Sequence, residues 1–206
     1  MNKDMYLKGI KKIAKNYKKW ILVGSLIIKI GKNKLVNRSI LIDKNGKIRT
    51  YYDKIHMYDA KLSKKEKYFE SKTFLAGNKY KAFNLPWGKI GLSICYDLRF
   101  PNLYRSLSKR GSIFLSVPAA FTETTGRRHW HTLLRARAIE NFCYIFAPAQ
   151  AGKHHNGRET FGHSLIISPD GKIIKELKKK EGVITASIQP ELSKKLRKVI
   201  PSLNFD

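Results

Sequence analysis

Lys89 to Ile94 is an apolar run that reads as a buried strand and stops abruptly at Cys95. A polar turn follows, and then Phe100, Leu103, Tyr104 and Leu107 fall on one face of a helix. A strand that is apolar throughout needs cover on both faces, so this unit demands a sheet with layers around it. Three further runs have the same character: Trp20 to Ile28, Ile113 to Val117 and Phe142 to Ala147. The first of these is expected at a sheet centre.

Asp4 to Lys19 spaces Leu7, Ile10, Ile13, Ala14 and Tyr17 as one helical face with lysines between them, and helices are also expected over His129 to Asn141 and Glu191 to Val199. Asp43-Lys44-Asn45-Gly46 joins strands Asn37 to Ile42 and Lys47 to Tyr52 as a hairpin. A second hairpin turns at Pro169-Asp170-Gly171 between His163 to Ser168 and Lys172 to Leu177, and Gly182 to Ile188 reads as a last strand. The lysine-rich stretch from Asp53 to Gly77, the small-residue stretch Pro118 to Gly126 and Gln150 to Gly162 read as loops. Strands and helices thus alternate irregularly, which implies mixed sheets in an α/β protein. Two such sheets face to face with helices outside give a four-layer αββα sandwich, and the length of 206 residues fits one domain spanning residues 1–206.

A formal charge of +27 raises nucleic-acid binding as a function. Lysine far outnumbers arginine, however, and is scattered over turns and helix faces, and no helix-turn-helix, zinc-finger or RNA-recognition pattern is present. A solvated lysine surface that attracts anionic small molecules is the reading adopted, with no specific nucleic-acid partner. No run of 18 apolar residues suggests a membrane span, and the first residues lack the pattern of a signal peptide, so a cytoplasmic location is expected.

Cys95 and Cys143 are too few for a disulfide framework and lack zinc-ligand spacing. Cys143, inside an apolar strand, reads as a core residue. Cys95 has two readings, a small buried hydrophobe or a nucleophile held at the lip of a sheet, and its own surroundings leave both open. The adjacent His154 and His155 point in opposite directions in an extended chain and have no carboxylate companion, so no metal is assigned to them.

Gly91-Leu-Ser-Ile-Cys95-Tyr-Asp-Leu-Arg99-Phe-Pro closely resembles the nucleophile motif of the nitrilase superfamily of carbon–nitrogen hydrolases. Lys54-Ile-His-Met-Tyr-Asp is similar to the family's catalytic-lysine segment, and Glu70-Ser71 to its second glutamate, at offsets like those of the amidase branches. Ala120 through Trp130, Arg135-Ala-Arg-Ala-Ile-Glu-Asn and Phe161-Gly-His-Ser are most similar to the deaminated glutathione amidase branch, with the ω-amidase branch next. The resemblance covers nearly the whole chain. It implies an amidase that cleaves a linear, carboxylate-bearing, deaminated glutathione-like amide to carboxylate and ammonia through a Cys95 thioester. The alternatives are an ω-amidase for dicarboxylic acid monoamides and a non-catalytic binding or assembly module.

By the same resemblance, Cys95 is the nucleophile, Lys54 stabilises the oxyanion with the backbone N–H of Tyr96, and Glu70 positions Lys54 or the substrate. Arg99 orients the loop, carries a substrate carboxylate or makes a purely structural salt bridge, and Phe121, Thr125 and His129 line the substrate site. The resemblance implies no metal and no cofactor, a small amide as partner, and a homodimer or higher homo-oligomer.

One departure stands out. The family's third catalytic residue is a glutamate base on a strand well before the lysine, whereas the helix from Asp4 resembles the family's second helix, and Met1 to Asn37 contains no Glu. The N-terminal strand–helix–strand segment is therefore expected to be absent from these 206 residues. An incomplete sequence, a truncated non-enzyme and completion by another chain are the three explanations. His56, His129 and His163 are weaker candidates for a substitute base.

Overall fold

The computed structural model describes residues 5–32, 34–64, 66–155 and 157–205. It divides into two compact units, Met1–Lys81 and Ala82–Asp206, which are taken in turn.

In the first unit, helix α1 (Met5–Asn16) is followed by strands β1 (Ile21–Lys29), β2 (Leu35–Ile42) and β3 (Ile48–Asp53) in an antiparallel meander ordered β1-β2-β3. The expected helix start at Asp4 lies outside the described residues. Leu7 and Ala14 of α1 are buried with Ile40 and Ile42 of β2, and Ile10, Ile21, Val23, Leu26 and Ile48 pack around them. Ile13 and Tyr17, expected on the same apolar face, are instead exposed. The sheet covers a stripe narrower than the apolar spacing suggested.

The hairpin turn between β2 and β3 is held by Asp43, whose carboxylate accepts from the N–H groups of Asn45 and Lys47, each at 2.9 Å. Burial pushes the Asp43 carboxyl up, but these two N–H groups and Arg49 outweigh it, and the net position is below the usual aspartate value. A depressed folded value means that Asp43 stabilises the fold above the unfolded aspartate value near 3.8 and ceases to do so as pH falls through the lower folded value. Asp43→Asn is therefore expected to cost about 1 kcal/mol at pH 7. Urea unfolding will show the gap to wild type closing below pH 3.8.

β1 corrects an expectation. It forms the edge of its sheet among the described residues, its side chains alternate in exposure from Ser25 onward, and Ile27 is 64% exposed. A continuous aliphatic run marks a strand but not the number of its neighbours. The lysine-rich stretch after β3 is also more than a loop: β4 (Asp59–Lys61) and β5 (Lys67–Phe69) pair antiparallel, and a 3-10 turn follows over Glu70–Lys72.

The second unit is built on a six-stranded mixed sheet. Its strands are β6 (Lys81–Leu85), which begins one residue before the unit, β7 (Gly88–Leu92), β8 (Ser112–Ser116), β9 (Tyr144–Ala147), β12 (Ser164–Ile167) and β13 (Ile173–Leu177). The order is β13-β12-β9-β8-β7-β6, with β7, β8 and β9 parallel and β12 antiparallel to both β9 and β13. Three of the four apolar runs lie in this parallel centre, in keeping with the burial rule for parallel strands. Helices α2 (Pro101–Lys109) and α3 (Glu123–Asn141) connect it, β10 (Ala151–Lys153) and β11 (Glu159–Phe161) form a small hairpin, and α4 (Pro190–Val199) follows. Leu103 and Leu107 of α2, Trp130, Leu134 and Ala138 of α3, and Leu115 and Ile145 of the sheet are buried together in this unit.

Two boundaries differ from expectation. α3 starts at Glu123, not His129, because Thr122 caps it: its Oγ1 accepts from Thr125 N at 3.3 Å. Gly182 to Ile188 forms no ladder; β-branched residues there lacked a partner strand, and propensity alone does not make one. The first turn of α3 passes close to β11. A Cβ on Gly126 would stand 2.3 Å from Phe161 Cβ, so Gly126→Ala is expected to destabilise the protein by about 1–3 kcal/mol through overpacking, measured by chemical denaturation. No helix among the described residues is long and apolar enough to cross a membrane.

Candidate active site

In the first unit the chain leaves β3 at Asp53 and the next residue is Lys54. Its backbone is fixed on both sides, N–H to Asn37 O at 2.9 Å and C=O from Gly77 N at 2.8 Å. The approach of Gly77 is so close that a Cβ there would lie 2.2 Å from Asp53 O. Arg38 grips Asp53 with two parallel hydrogen bonds of 2.6 and 2.7 Å, which locks the strand end.

The Lys54 side chain is 3% exposed and its ammonium is ion-paired with Glu70 Oε2. That oxygen also accepts from Tyr58 N at 2.7 Å, while Glu70 N donates to Tyr58 O at 3.3 Å. The β4–β5 pair thus brings Glu70 back across the chain onto the lysine. A buried ammonium with one firmly held carboxylate is a fixed positive charge, oriented and largely shielded from water.

In the second unit Cys95 stands just beyond β7, at the start of a 3-10 turn over Cys95–Arg99. Its φ is +50°, a left-handed conformation that costs a residue with a Cβ roughly 1–3 kcal/mol and persists only where the surroundings enforce it. Three sets of contacts enforce it. Cys95 N donates to Pro118 O at 2.9 Å, at the exit of β8. The fully buried Asp97 accepts from Ile94 N at 2.8 Å and its own N–H returns to Ile94 O at 3.1 Å. Arg137 of α3 donates to Leu98 O through Nε at 3.1 Å and Nη2 at 2.9 Å.

Below the turn, Ser93 Oγ donates to Ser116 O at 2.7 Å and lies 2.7 Å from Tyr104 OH. Burial pushes the Tyr104 hydroxyl upward, so it keeps its proton. Cys95 is partly exposed and is not in a disulfide, which leaves a strained thiol just beyond the end of an interior strand, over a rigid base.

The other expected site residues of this unit fall into two groups. Arg99 collects three of them: its Nη2 lies 3.2 Å from His129 Nδ1, and its guanidinium carbon is 5.5 Å from the Phe121 ring centre and 6.0 Å from that of Tyr96. Burial first, then the charges of Arg99 and Arg128, hold His129 below its ordinary value, so the imidazole is neutral at pH 7 and accepts from Arg99. Tyr96 packs edge-on against Phe100 at 5.3 Å and Phe121 against Trp130 at 4.8 Å. Thr125 stands apart: it is buried, with its hydroxyl 2.9 Å from that of Thr122 in the cap of α3.

Asp97, Arg137 and the Ser93–Tyr104 pair were not picked out from the sequence. Asp97 sits two residues after the cysteine, and a carboxylate so close to a candidate nucleophile was the available signal. His163, considered as a substitute base, is engaged with Glu176, its Nδ1 lying 2.5 Å from Glu176 Oε1.

In the second unit a strand, a strained turn and a following helix carry Cys95, and in the first unit Lys54 is ion-paired with Glu70. Residues 3–198 match the carbon–nitrogen hydrolase family, and the chain belongs to it. It is 43% identical over 200 residues to the deaminated glutathione amidase of Synechocystis, an alignment covering 95% of this chain and 74% of that protein. It is 34% identical to an omega-amidase of Saccharomyces cerevisiae, covering 89% of this chain and 64% of the relative. The crystal structure of the Caenorhabditis elegans NitFhit protein superimposes with a TM-score of 0.92 at 36% identity, over 98% of this chain and 50% of that one. The chain therefore has the α/β fold of this family and spans between half and three quarters of the length of these three proteins.

Proposed function

We propose that residues 1–206 act as one carbon–nitrogen hydrolase domain that cleaves a linear, carboxylate-bearing amide of the deaminated glutathione type. The observation that carries the reading is the positive-φ Cys95, forced into the turn by Pro118, Asp97 and Arg137. A structural cysteine needs no such strain, whereas a nucleophile gains exposure from it.

In this reading Cys95 Sγ attacks the amide carbonyl carbon and the carbonyl π pair moves to oxygen. By the family resemblance, Lys54 and the Tyr96 N–H stabilise the oxyanion, and Glu70, ion-paired with Lys54, aims its side chain. Collapse breaks the C–N bond; the nitrogen leaves as ammonia with the proton that Cys95 gave up, and a thioester remains. Water then cleaves the thioester, releasing the carboxylic acid and restoring the thiol. No Glu precedes Glu66 in the sequence, so the proton carrier between sulfur and nitrogen is not assigned to a residue of this chain.

Arg99 is the residue proposed to meet the substrate carboxylate, with neutral His129 orienting its guanidinium and Phe121 beside it. Thr125, from its place in the α3 cap, shapes the loop that carries Phe121. Similarity to the yeast omega-amidase supports dicarboxylic acid monoamides as a second substrate class. Incubation with a deaminated glutathione-type amide or a monoamide, followed by intact mass and peptide mapping, tests the reading. An acyl adduct on Cys95 with ammonia release supports an amidase. An adduct without turnover marks an enzyme that acylates but lacks its proton carrier, and neither adduct nor ammonia would point to the non-catalytic module.

A further inference from the structure

On the second unit, His131 of α3, His163 immediately before β12 and Glu176 of β13 bring three potential ligand atoms together, all within 4.8 Å of one another. Glu176 Oε1 lies 3.0 Å from His131 Nε2 and 2.5 Å from His163 Nδ1. Neither His131 nor Glu176 has a role in the proposed amide chemistry. His131 is two residues from His129, about 200° around the helix, and so faces away from the Arg99 contact.

The cluster is rigidly mounted. His163 has a left-handed backbone, φ +56°, and is tied at both ends: its N–H donates to Lys178 O at 2.9 Å and its C=O accepts from Trp130 Nε1 at 2.8 Å. Its ring stacks on Phe161 at 4.1 Å and 19°, and Phe161 also meets the His131 ring edge-on at 5.9 Å. The two imidazoles are 5.2 Å apart and inclined at 74°, so their edges converge on the carboxylate instead of stacking on each other. All three side chains remain partly open to solvent, at 32%, 17% and 27% exposure for His131, His163 and Glu176.

We propose that His131, His163 and Glu176 form a site for a divalent transition metal, with zinc the favoured ion and water completing its coordination. Two imidazoles and a carboxylate on three separate elements are a donor set suited to zinc, nickel or cobalt. Calcium and magnesium prefer all-oxygen shells, and the absence of a thiolate disfavours copper(I). Tetrahedral bonds of about 2.0–2.1 Å place ligand atoms roughly 3.3 Å apart, which the present spacings reach by side-chain shifts on the order of 1 Å. The ion would replace the shared hydrogen-bonding proton positions at Glu176 and pin α3 to the β12–β13 hairpin.

Chelator-stripped Cys95→Ser protein, used so that the partly exposed thiol does not compete, is titrated with zinc chloride by calorimetry and with cobalt(II) by absorption. One ion per chain is expected, with cobalt d–d bands free of thiolate charge transfer. Thermal unfolding should shift up by about 5 °C or more when zinc stands a hundredfold above its Kd. His131→Ala and, independently, Glu176→Gln should each weaken binding roughly 100-fold or more and abolish the thermal shift. Binding unchanged in whichever variant folds, or no stoichiometric uptake by the parent, would overturn the site. Amide turnover does not enter the test, so its outcome is independent of the proposed function.

Discussion

Cys95→Ser will reduce amide turnover on the order of 10⁴-fold or more, and no acyl adduct will accumulate, whereas Cys143→Ser will turn over amide at close to the unmodified rate. A thiol is partly ionised near neutral pH and intrinsically nucleophilic; a serine hydroxyl in the same place needs a strong base to become so. The two cysteines make an internal comparison. Cys143 is fully buried, its Sγ lies 3.2 Å from Ser112 O and takes a hydrogen bond from Arg197 Nη2 at 3.0 Å, and burial pushes its thiol up. Such a thiol is inert. Cys95 is partly exposed on a strained turn. Ammonia release is the first readout, and where deacylation is slow the mass of the acyl-enzyme replaces it. Equal acylation of the two serine variants would remove Cys95 from the mechanism.

How far the molecule could be read before its structure depended on how local each signal was. The Asp43–Gly46 hairpin was legible because Asn-Gly turns and their capping aspartate are encoded within four residues. The cysteine turn was legible as a strand end because Lys89 to Ile94 is apolar and Tyr96 to Arg99 is not. What enforces it was not: Pro118, Arg137 and Tyr104 arrive from other elements, and only the folded sheet brings them to residues 93–98. The β4–β5 pair that returns Glu70 to Lys54 was hidden for a similar reason, since three-residue strands rich in lysine carry almost no periodicity. β1 misled in the opposite direction: its strand character is encoded in its own side chains, but its edge position is a property of its neighbours. The cluster of His131, His163 and Glu176 was invisible because its members come from a helix, a loop end and a strand, while the adjacent His154 and His155 drew attention by proximity in sequence alone.

The second large effect concerns the lysine–glutamate pair. Lys54→Met is expected to lower kcat by about 10²–10³-fold, the usual result of removing one oxyanion donor, and also to destabilise the first unit by about 3–5 kcal/mol. The stability loss arises because Glu70, with a side chain 15% exposed and held by Tyr58 N, is left without its ammonium partner beside a methionine. Glu70→Leu alone strands the buried ammonium and should cost a similar amount. In the double variant Lys54→Met/Glu70→Leu neither charge is left behind, and two apolar side chains fill the space. Its stability should therefore return most of the way to that of the parent, while kcat stays as low as in Lys54→Met. Urea denaturation of the four proteins, combined with acylation rates, separates the two roles: a purely structural pair would recover activity together with stability, and a catalytic lysine would recover stability alone.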